Sequence, residues 1–259
     1  MKRIKNDTGV FYCEEDILPS VIKVCDMVKK HPSVLEPFRG ARDDVKEILA
    51  SSGFVLYPTV KKTTIFYEEA TDCFFKVLHL LHLKEKALYF FIDRGRSIYN
   101  LSEYLSSNGI LVPRVVAYGT FKKGRKPFWV MKRIPGVSLY DILITEGKTV
   151  KRELLLRVID KIAEIHRHNY WFGDAHLGHI FLDKEDVTGF IDIDGLRKNS
   201  PFILRNLAKD LACLNHPKVP LPKDEKMQLL DYYMDIIGIR NKDRFISIVK
   251  YFSKRRWKR

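Results

Sequence analysis

The spacing of the apolar residues changes at Ile134-Pro135-Gly136, and that change constrains the fold more than any other feature. Upstream, short runs rich in β-branched and aromatic residues alternate with polar turns, the pattern of strands. Downstream, apolar residues recur every three to four positions, the pattern of helices packed on a core. A Pro-Gly pair continues neither pattern. The expected fold is α+β and bilobal. Residues 1–133 form an N-lobe with an antiparallel sheet plus helix, and residues 134–259 form a mostly helical C-lobe.

Within the front half, residues 17–30 and about 42–52 carry helical spacing, with Asp43 and Asp44 suited to a first helical turn. A Pro- and Gly-punctuated link, residues 31–40, joins them. Residues 1–53 are thus expected as a helical extension, ahead of a sheet over residues 54–133. Phe54-Val55-Leu56-Tyr57, residues 63–67 and residues 73–78 read as a three-strand meander. Lys76 is the one charge inside the strongly apolar third strand. A lysine there points to a ligand or an ion-pair partner, because a bare buried ammonium is costly; the bland alternative is an edge-strand lysine reaching water. Residues 95–108 read as a helix ended by Gly109. A strand is expected over residues 109–119, a basic turn at 122–126, and another strand over residues 128–131.

In the back half, a helix starts over residues 139–143 and a long one spans 149–168, with Leu154, Leu155, Val158, Ile159, Ile162 and Ile165 on one face. Further helices are expected over 202–214, 224–237 and about 242–257. Between them lies the stretch 169–197. Asp174 follows a glycine in a polar loop. His179 comes five residues later, at the start of an apolar run. After a turn at 183–186, Asp192 lies in Phe190-Ile191-Asp192-Ile193-Asp194, read as the second strand of a hairpin. A loop acid, a metal-capable side chain and a second acid in this order suit phosphoryl transfer. One carboxylate takes a hydroxyl proton while the other two groups hold magnesium.

The chain has 259 residues and a formal net charge of +14. That excess calls for an anionic partner, with nucleic acid, an anionic membrane leaflet and a phosphorylated glycolipid as the candidates. The sequence disfavours nucleic acid, since it has no stripe of alternating basic and aromatic residues that would stack bases. No apolar run reaches the ~18 residues of a membrane span, and no apolar core follows the basic N-terminus as in a secretory leader. Cys13, Cys25, Cys73 and Cys213 are scattered, as in a reduced cytosolic protein.

The order of these motifs resembles the protein-kinase-like fold and, more closely, the lipopolysaccharide core kinases, the heptose and Kdo kinase group of Gram-negative bacteria. The resemblance covers roughly residues 54–215. Phe75-Lys76-Val77 resembles the strand that bears the ATP-phosphate lysine. Residues 130–139 are similar to the inter-lobe hinge, which puts Met131 and Arg133 at the nucleotide. Gly173-Asp174-Ala175-His176-Leu177-Gly178-His179 resembles the catalytic loop, and Ile191-Asp192-Ile193-Asp194 the metal-binding motif. The resemblance implies ATP and Mg2+ as cofactors. It implies Asp174 as catalytic base, Lys76 on the α- and β-phosphates, and His179 and Asp192 on the metal. Glu103 is the implied acid partner of Lys76, with Asp93 and Glu85 as alternatives. It further implies a lipopolysaccharide core or other anionic glycolipid as acceptor, and a cytoplasmic enzyme touching the anionic face of the inner membrane peripherally.

The sequence departs from that pattern in two places. Phe172-Gly173 stands where His-Arg usually precedes the catalytic aspartate, and no glycine-rich loop lies in residues 57–63, where Lys61 and Lys62 would cover the phosphates instead. Three further readings stay open. His166, His168, His176 and His179 make HxH and HxxH pairs that compete as a zinc site. Asp210 either anchors the catalytic-loop backbone or pairs with Lys209 or Arg205 at the surface. The last helix, with Trp257 and a basic tail, is expected to pack its apolar face and to touch the membrane with its cations.

Overall fold

The computed structural model describes residues 1–38, 42–58, 61–184, 186–199 and 203–257. The end of the link at Gly40, Thr59 and Val60 of the segment expected to cover the phosphates, Glu185 of the turn, Phe202 and the terminal Lys258 and Arg259 lie outside the described residues. The chain divides into two units. Met1–Ser107 with Pro113–Arg133 form the first, and Asn108–Val112 with Ile134–Arg259 form the second.

The first unit is a seven-stranded antiparallel sheet with helices. In chain order it contains β1 (Lys2–Lys5), β2 (Gly9–Cys13), α1 (Leu18–Lys30), α2 (Asp43–Ser51), β3 (Val55–Tyr57), β4 (Thr63–Glu68), β5 (Cys73–Leu78), α3 (Leu83–Phe91), α4 (Arg94–Ser107), β6 (Val115–Phe121) and β7 (Lys126–Lys132). The sheet order is β1-β2-β6-β7-β5-β4-β3. The expected helical extension needs correction, because its first thirteen residues are a hairpin at the edge of the sheet. Asn6 makes that turn, its side-chain oxygen accepting from the amides of Thr8 and Gly9. A second correction concerns residues 109–119. Strand begins only at Val115, because Gly109 turns the chain with φ +77° and Pro113 has no amide to give a ladder.

The strand period sorts side chains to two faces. Phe11, Phe66, Phe75, Val77, Phe128 and Val130 pack with Val21, Val24 and Val28 of α1 and Val45 and Leu49 of α2 into one core. The opposite face carries Lys76, paired in register with Trp129 of β7, and Phe74, paired with Met131. Helix α4 lies on β6 and β7, and Gly95 lets it approach. A Cβ there would sit 3.0 Å from the Phe128 carbonyl and 3.2 Å from the Gly119 amide.

The second unit continues with β8 (Val137–Ser138), a π-helical turn over Asp141–Thr145, α5 (Arg152–Arg167), β9 (Tyr170–Trp171), β10 (Ile180–Asp183), β11 (Asp186–Phe190), β12 (Arg197–Lys198), α6 (Ile203–Leu214), α7 (Lys223–Ile237) and α8 (Lys242–Trp257). Leu154, Leu155, Val158, Ile159, Ile162 and Ile165 of α5 are buried, the face read from its spacing. Helix α7 packs on α5, and α8 on α6. Strand β10 pairs with both β11 and β8. Gly136 sits at that junction with φ +100°, and a Cβ on it would be 2.1 Å from the Leu182 carbonyl, so no other residue fits. All four cysteines are buried and free, and burial raises each thiol's pKa, Cys213 to about 11.

Candidate active site

The stretch 169–197 is closed on itself. Trp171 pairs with Arg197, Tyr170 with Lys198, and Asn199 donates its amide to the Asn169 carbonyl at 2.8 Å. Asn169 takes a left-handed φ of +64° straight after α5, which ends the helix and turns the chain into the loop.

The loop is fixed from beneath by Asp210. Its carboxylate, with no exposure to solvent, accepts from the amides of Phe172 at 2.6 Å and Gly173 at 3.1 Å, and lies 3.2 Å from His166 Nε2. The other nitrogen of His166 lies 2.6 Å from the Tyr233 hydroxyl. Of the two readings of Asp210, the structure bears out the anchor. A buried carboxylate needs this many donors, because each unmet acceptor would carry its full desolvation cost. Burial and the Asp210 charge raise the pKa of Tyr233, so it remains a phenol. His166 is held in this network rather than directed at a metal.

Above the anchor, Gly173 has φ +77°, and Asp174 emerges with its side chain 63% exposed. Asp174 Oδ1 accepts from Arg256 Nη2 of α8 at 2.5 Å. His179 ends a 3₁₀ turn over Leu177–His179, and its Nδ1 lies 3.2 Å from the Asp174 carbonyl oxygen. A carbonyl only accepts, so Nδ1 carries the proton and a neutral His179 keeps its Nε2 lone pair free for a ligand. Asp192 is close in the fold, since the Ile191 amide donates to the His179 carbonyl at 2.9 Å. Its expected strand setting is corrected. Strand β11 stops at Phe190, and Asp192 adopts a left-handed φ of +63° and ψ of 37° ahead of a 3₁₀ turn. The reversal takes the carboxylate off the sheet ladder and sets it at the head of the turn.

A train of rings runs beside the loop. Trp257 lies on His216 at 4.5 Å, His216 on Tyr140 at 5.9 Å, Tyr140 on His176 at 5.3 Å and His176 on His179 at 5.9 Å. Burial lowers the pKa of His176, with His179 and nearby cations adding to it while Asp174 opposes. Kept neutral, its Nδ1 accepts the Gly178 amide at 3.0 Å.

The match that decides the family lies over this region. Residues 86–233, more than half of the chain, match the model of the lipopolysaccharide kinase (Kdo/WaaP) family. The chain belongs to the lipopolysaccharide kinase (Kdo/WaaP) family. Among solved structures, this family member is similar in fold to the bifunctional kinase-methyltransferase WbdD, at 16% identity and a TM-score of 0.50 over 75% of its length. A second structure of WbdD gives 17% identity and a TM-score of 0.51 over 74%. In both cases the chain spans 43% of the longer protein, and the likeness supports a protein-kinase-like fold. No curated protein matches the sequence.

The residues expected to bind nucleotide all lie in the first unit of the lipopolysaccharide-kinase chain. Lys76 is 6% exposed, with its ammonium 5.7 Å from the Trp129 ring centroid. Met131 lies on the same sheet face and is 9% exposed. Arg133, just past β7, pairs with Asp72 through Nε at 2.8 Å. Glu103 is exposed on α4. The alternative acid Glu85 is already paired with Lys62 at 2.8 Å and caps the start of α3.

Among the described residues, no three His, Cys, Asp or Glu side chains are grouped to hold a metal ion. Magnesium fits this site nonetheless, since it is commonly bound by one or two protein ligands with phosphate oxygens and water completing the shell. The Asp192 carboxylate and the free Nε2 of His179 are the donors suited to that task. The residue that sequence reasoning missed is Arg256. It reaches Asp174 from 82 positions downstream, and its only signal was a basic cluster read as a membrane contact.

Proposed function

We propose that this chain transfers the γ-phosphate of ATP to a heptose or Kdo hydroxyl of the lipopolysaccharide inner core. One observation carries the reading: an exposed Asp174 on a loop pinned by buried Asp210, with His179 Nδ1 against its backbone carbonyl and Ile191, the neighbour of Asp192, bonded to the His179 carbonyl. Asp174 accepts the proton of the attacking hydroxyl. Asp192 and His179 Nε2 hold magnesium, which when bound neutralises charge on the transferring phosphate. Lys76 holds the α- and β-phosphates, Glu103 is its acid partner, and Met131 and Arg133 flank the adenine. Because little covalent chemistry falls to the protein, most of the rate comes from positioning and electrostatics.

The test is transfer of label from γ-labelled ATP to dephosphorylated lipopolysaccharide cores, beside a protein and an aminoglycoside. Asp174→Ala should cut turnover by about 10²- to 10⁴-fold with the fold intact. Label confined to another acceptor, or undiminished in Asp174→Ala, would overturn the reading.

Peripheral contact with the anionic cytoplasmic face of the inner membrane belongs to the same reading. Among the described residues, no helix is long and apolar enough to cross a membrane. Helix α3 supports surface contact, because Leu83, Phe90 and Phe91 are 83%, 58% and 85% exposed and Lys84 and Lys86 lie beside them. Apolar residues at a bilayer surface with cations on anionic headgroups make a weak, reversible anchor. The C-terminal helix packs its apolar face inward, as the sequence suggested, and leaves only its cations for such contact. Phe245 and Val249 are buried, and Trp257 donates to the Ala212 carbonyl at 3.0 Å. Leu83→Ser with Phe91→Ser should release the protein from phosphatidylglycerol vesicles in a sedimentation assay. Retention there would assign the contact elsewhere.

A further inference from the structure

Beside the loop that carries Asp174 lies a cavity of about 670 Å³ within the second unit. Arg205 and Lys209 of α6 line it from one side, and Phe252, Arg255, Arg256 and Trp257 of α8 from the other. Four cations therefore face one space, two from each side. Among the described residues Arg205, Lys209 and Arg255 form no salt bridge, and Arg256 has only Asp174. Its Nε is buried with no hydrogen-bond partner. Aromatic faces hold the cations in place, with Lys209 5.4 Å from the Trp171 ring and 5.5 Å from that of Phe252, Arg205 5.8 Å from Phe252, and Arg256 5.1 Å from Trp257.

Like charges gathered around one space repel each other, and an anion placed among them removes that cost. Guanidinium forks and an ammonium match the oxygens of a phosphate or carboxylate. We propose that this cavity binds an anionic substituent, phosphate or carboxylate, of the acceptor glycan. Arg256 lines the cavity and also holds Asp174, so an anion seated there brings a neighbouring sugar hydroxyl to the base. Selection is therefore for acceptors already charged close to the hydroxyl to be modified. The assignment rests on the proposal that the chain acts on lipopolysaccharide.

The experiment is calorimetric titration with a lipopolysaccharide core oligosaccharide freed of lipid, and with the same oligosaccharide stripped of phosphate and carboxyl-reduced. Wild-type protein should bind the charged form about tenfold or more tightly, with the margin shrinking as salt rises. In Lys209→Gln/Arg255→Gln the margin should collapse while the melting temperature holds. Arg205→Gln/Arg255→Gln leaves Lys209 on its rings and serves if the first pair does not fold. Inorganic phosphate should compete for the site. Equal affinity for the two oligosaccharides, or a margin that survives both variants, overturns the proposal. So does loss of binding to phosphatidylglycerol vesicles with core affinity unchanged, since the cations would then serve a lipid headgroup. Label transfer separates this inference from the reaction. A charged-form preference without transfer keeps the cavity and removes the kinase reading; transfer to the core without that preference does the reverse.

Discussion

Two aspartates serve the same loop under opposite conditions. Asp210 lies beneath it, out of solvent, with two amides and a histidine around its carboxylate. Asp174 stands above it, 63% exposed, with one arginine that is itself 32% exposed. The first holds the backbone through short bonds at low dielectric. The second keeps a carboxylate oxygen available in water. A catalytic loop needs both, since rigidity comes from satisfied groups and chemistry from groups left partly unsatisfied.

The largest expected effect tests the buried side. Asp210→Ala should cost about 3–5 kcal/mol, because it orphans two amides and leaves His166 with one partner. Urea denaturation measures it, and a loss below ~1 kcal/mol would show that the loop does not depend on this anchor. Arg256→Gln tests the exposed side. Ion pairs this open contribute under ~1 kcal/mol, so the melting point should barely move. Turnover should nevertheless fall on the order of tenfold, because Asp174 loses its orientation. A large stability loss without a rate change would reverse the contrast.

A pH-dependent effect comes from His79 in the first unit. It is buried like His166 but bonded through one nitrogen only, with Nε2 2.7 Å from Thr64 Oγ1 and Nδ1 without a partner. Burial, with Lys126 adding to it, lowers its pKa to about 4. A histidine whose folded pKa is depressed stabilises the protein above its unfolded value of about 6.5. That contribution fades as pH falls from there toward 4, by at most about 3 kcal/mol. Melting curves between pH 7.5 and 4.5 should show the decline, and His79→Gln should flatten it. An unchanged slope would place the titration elsewhere.

Much of the site was legible because its parts are local. Asp174, His179 and Asp192 lie within one stretch, and glycine before an acid marks a turn wherever it occurs. The meander over β3 to β5 was legible for the same reason, since each turn joins neighbours. Strands β1 and β2 escaped notice because four and five residues broken by Asn6-Asp7-Thr8 carry too short an alternation. Helix α3 escaped for a different reason: none of its residues is buried, so its apolar residues do not mark a core face. Asp192 was misplaced because an aspartate in left-handed φ leaves no trace in a β-rich run. Arg256 could not be found at all, since nothing local ties a helix C-terminus to a loop so far upstream.

The five residues Asn108–Val112 belong to the second unit although Ser107 and Pro113 on either side belong to the first. Through them the Leu111 carbonyl accepts the Phe190 amide at 2.9 Å, at the end of the strand that leads to Asp192. The helical unit is thus discontinuous in the gene. A fragment starting at Ile134 would be born without that partner, and the bond would have to be supplied in trans by a peptide. During synthesis the piece emerges early and waits while β6 and β7 are made. Cutting this protein into separately expressed halves therefore requires a transplanted segment or a circular permutation, and a simple truncation at the change of period would leave the hairpin of β10 and β11 unfinished.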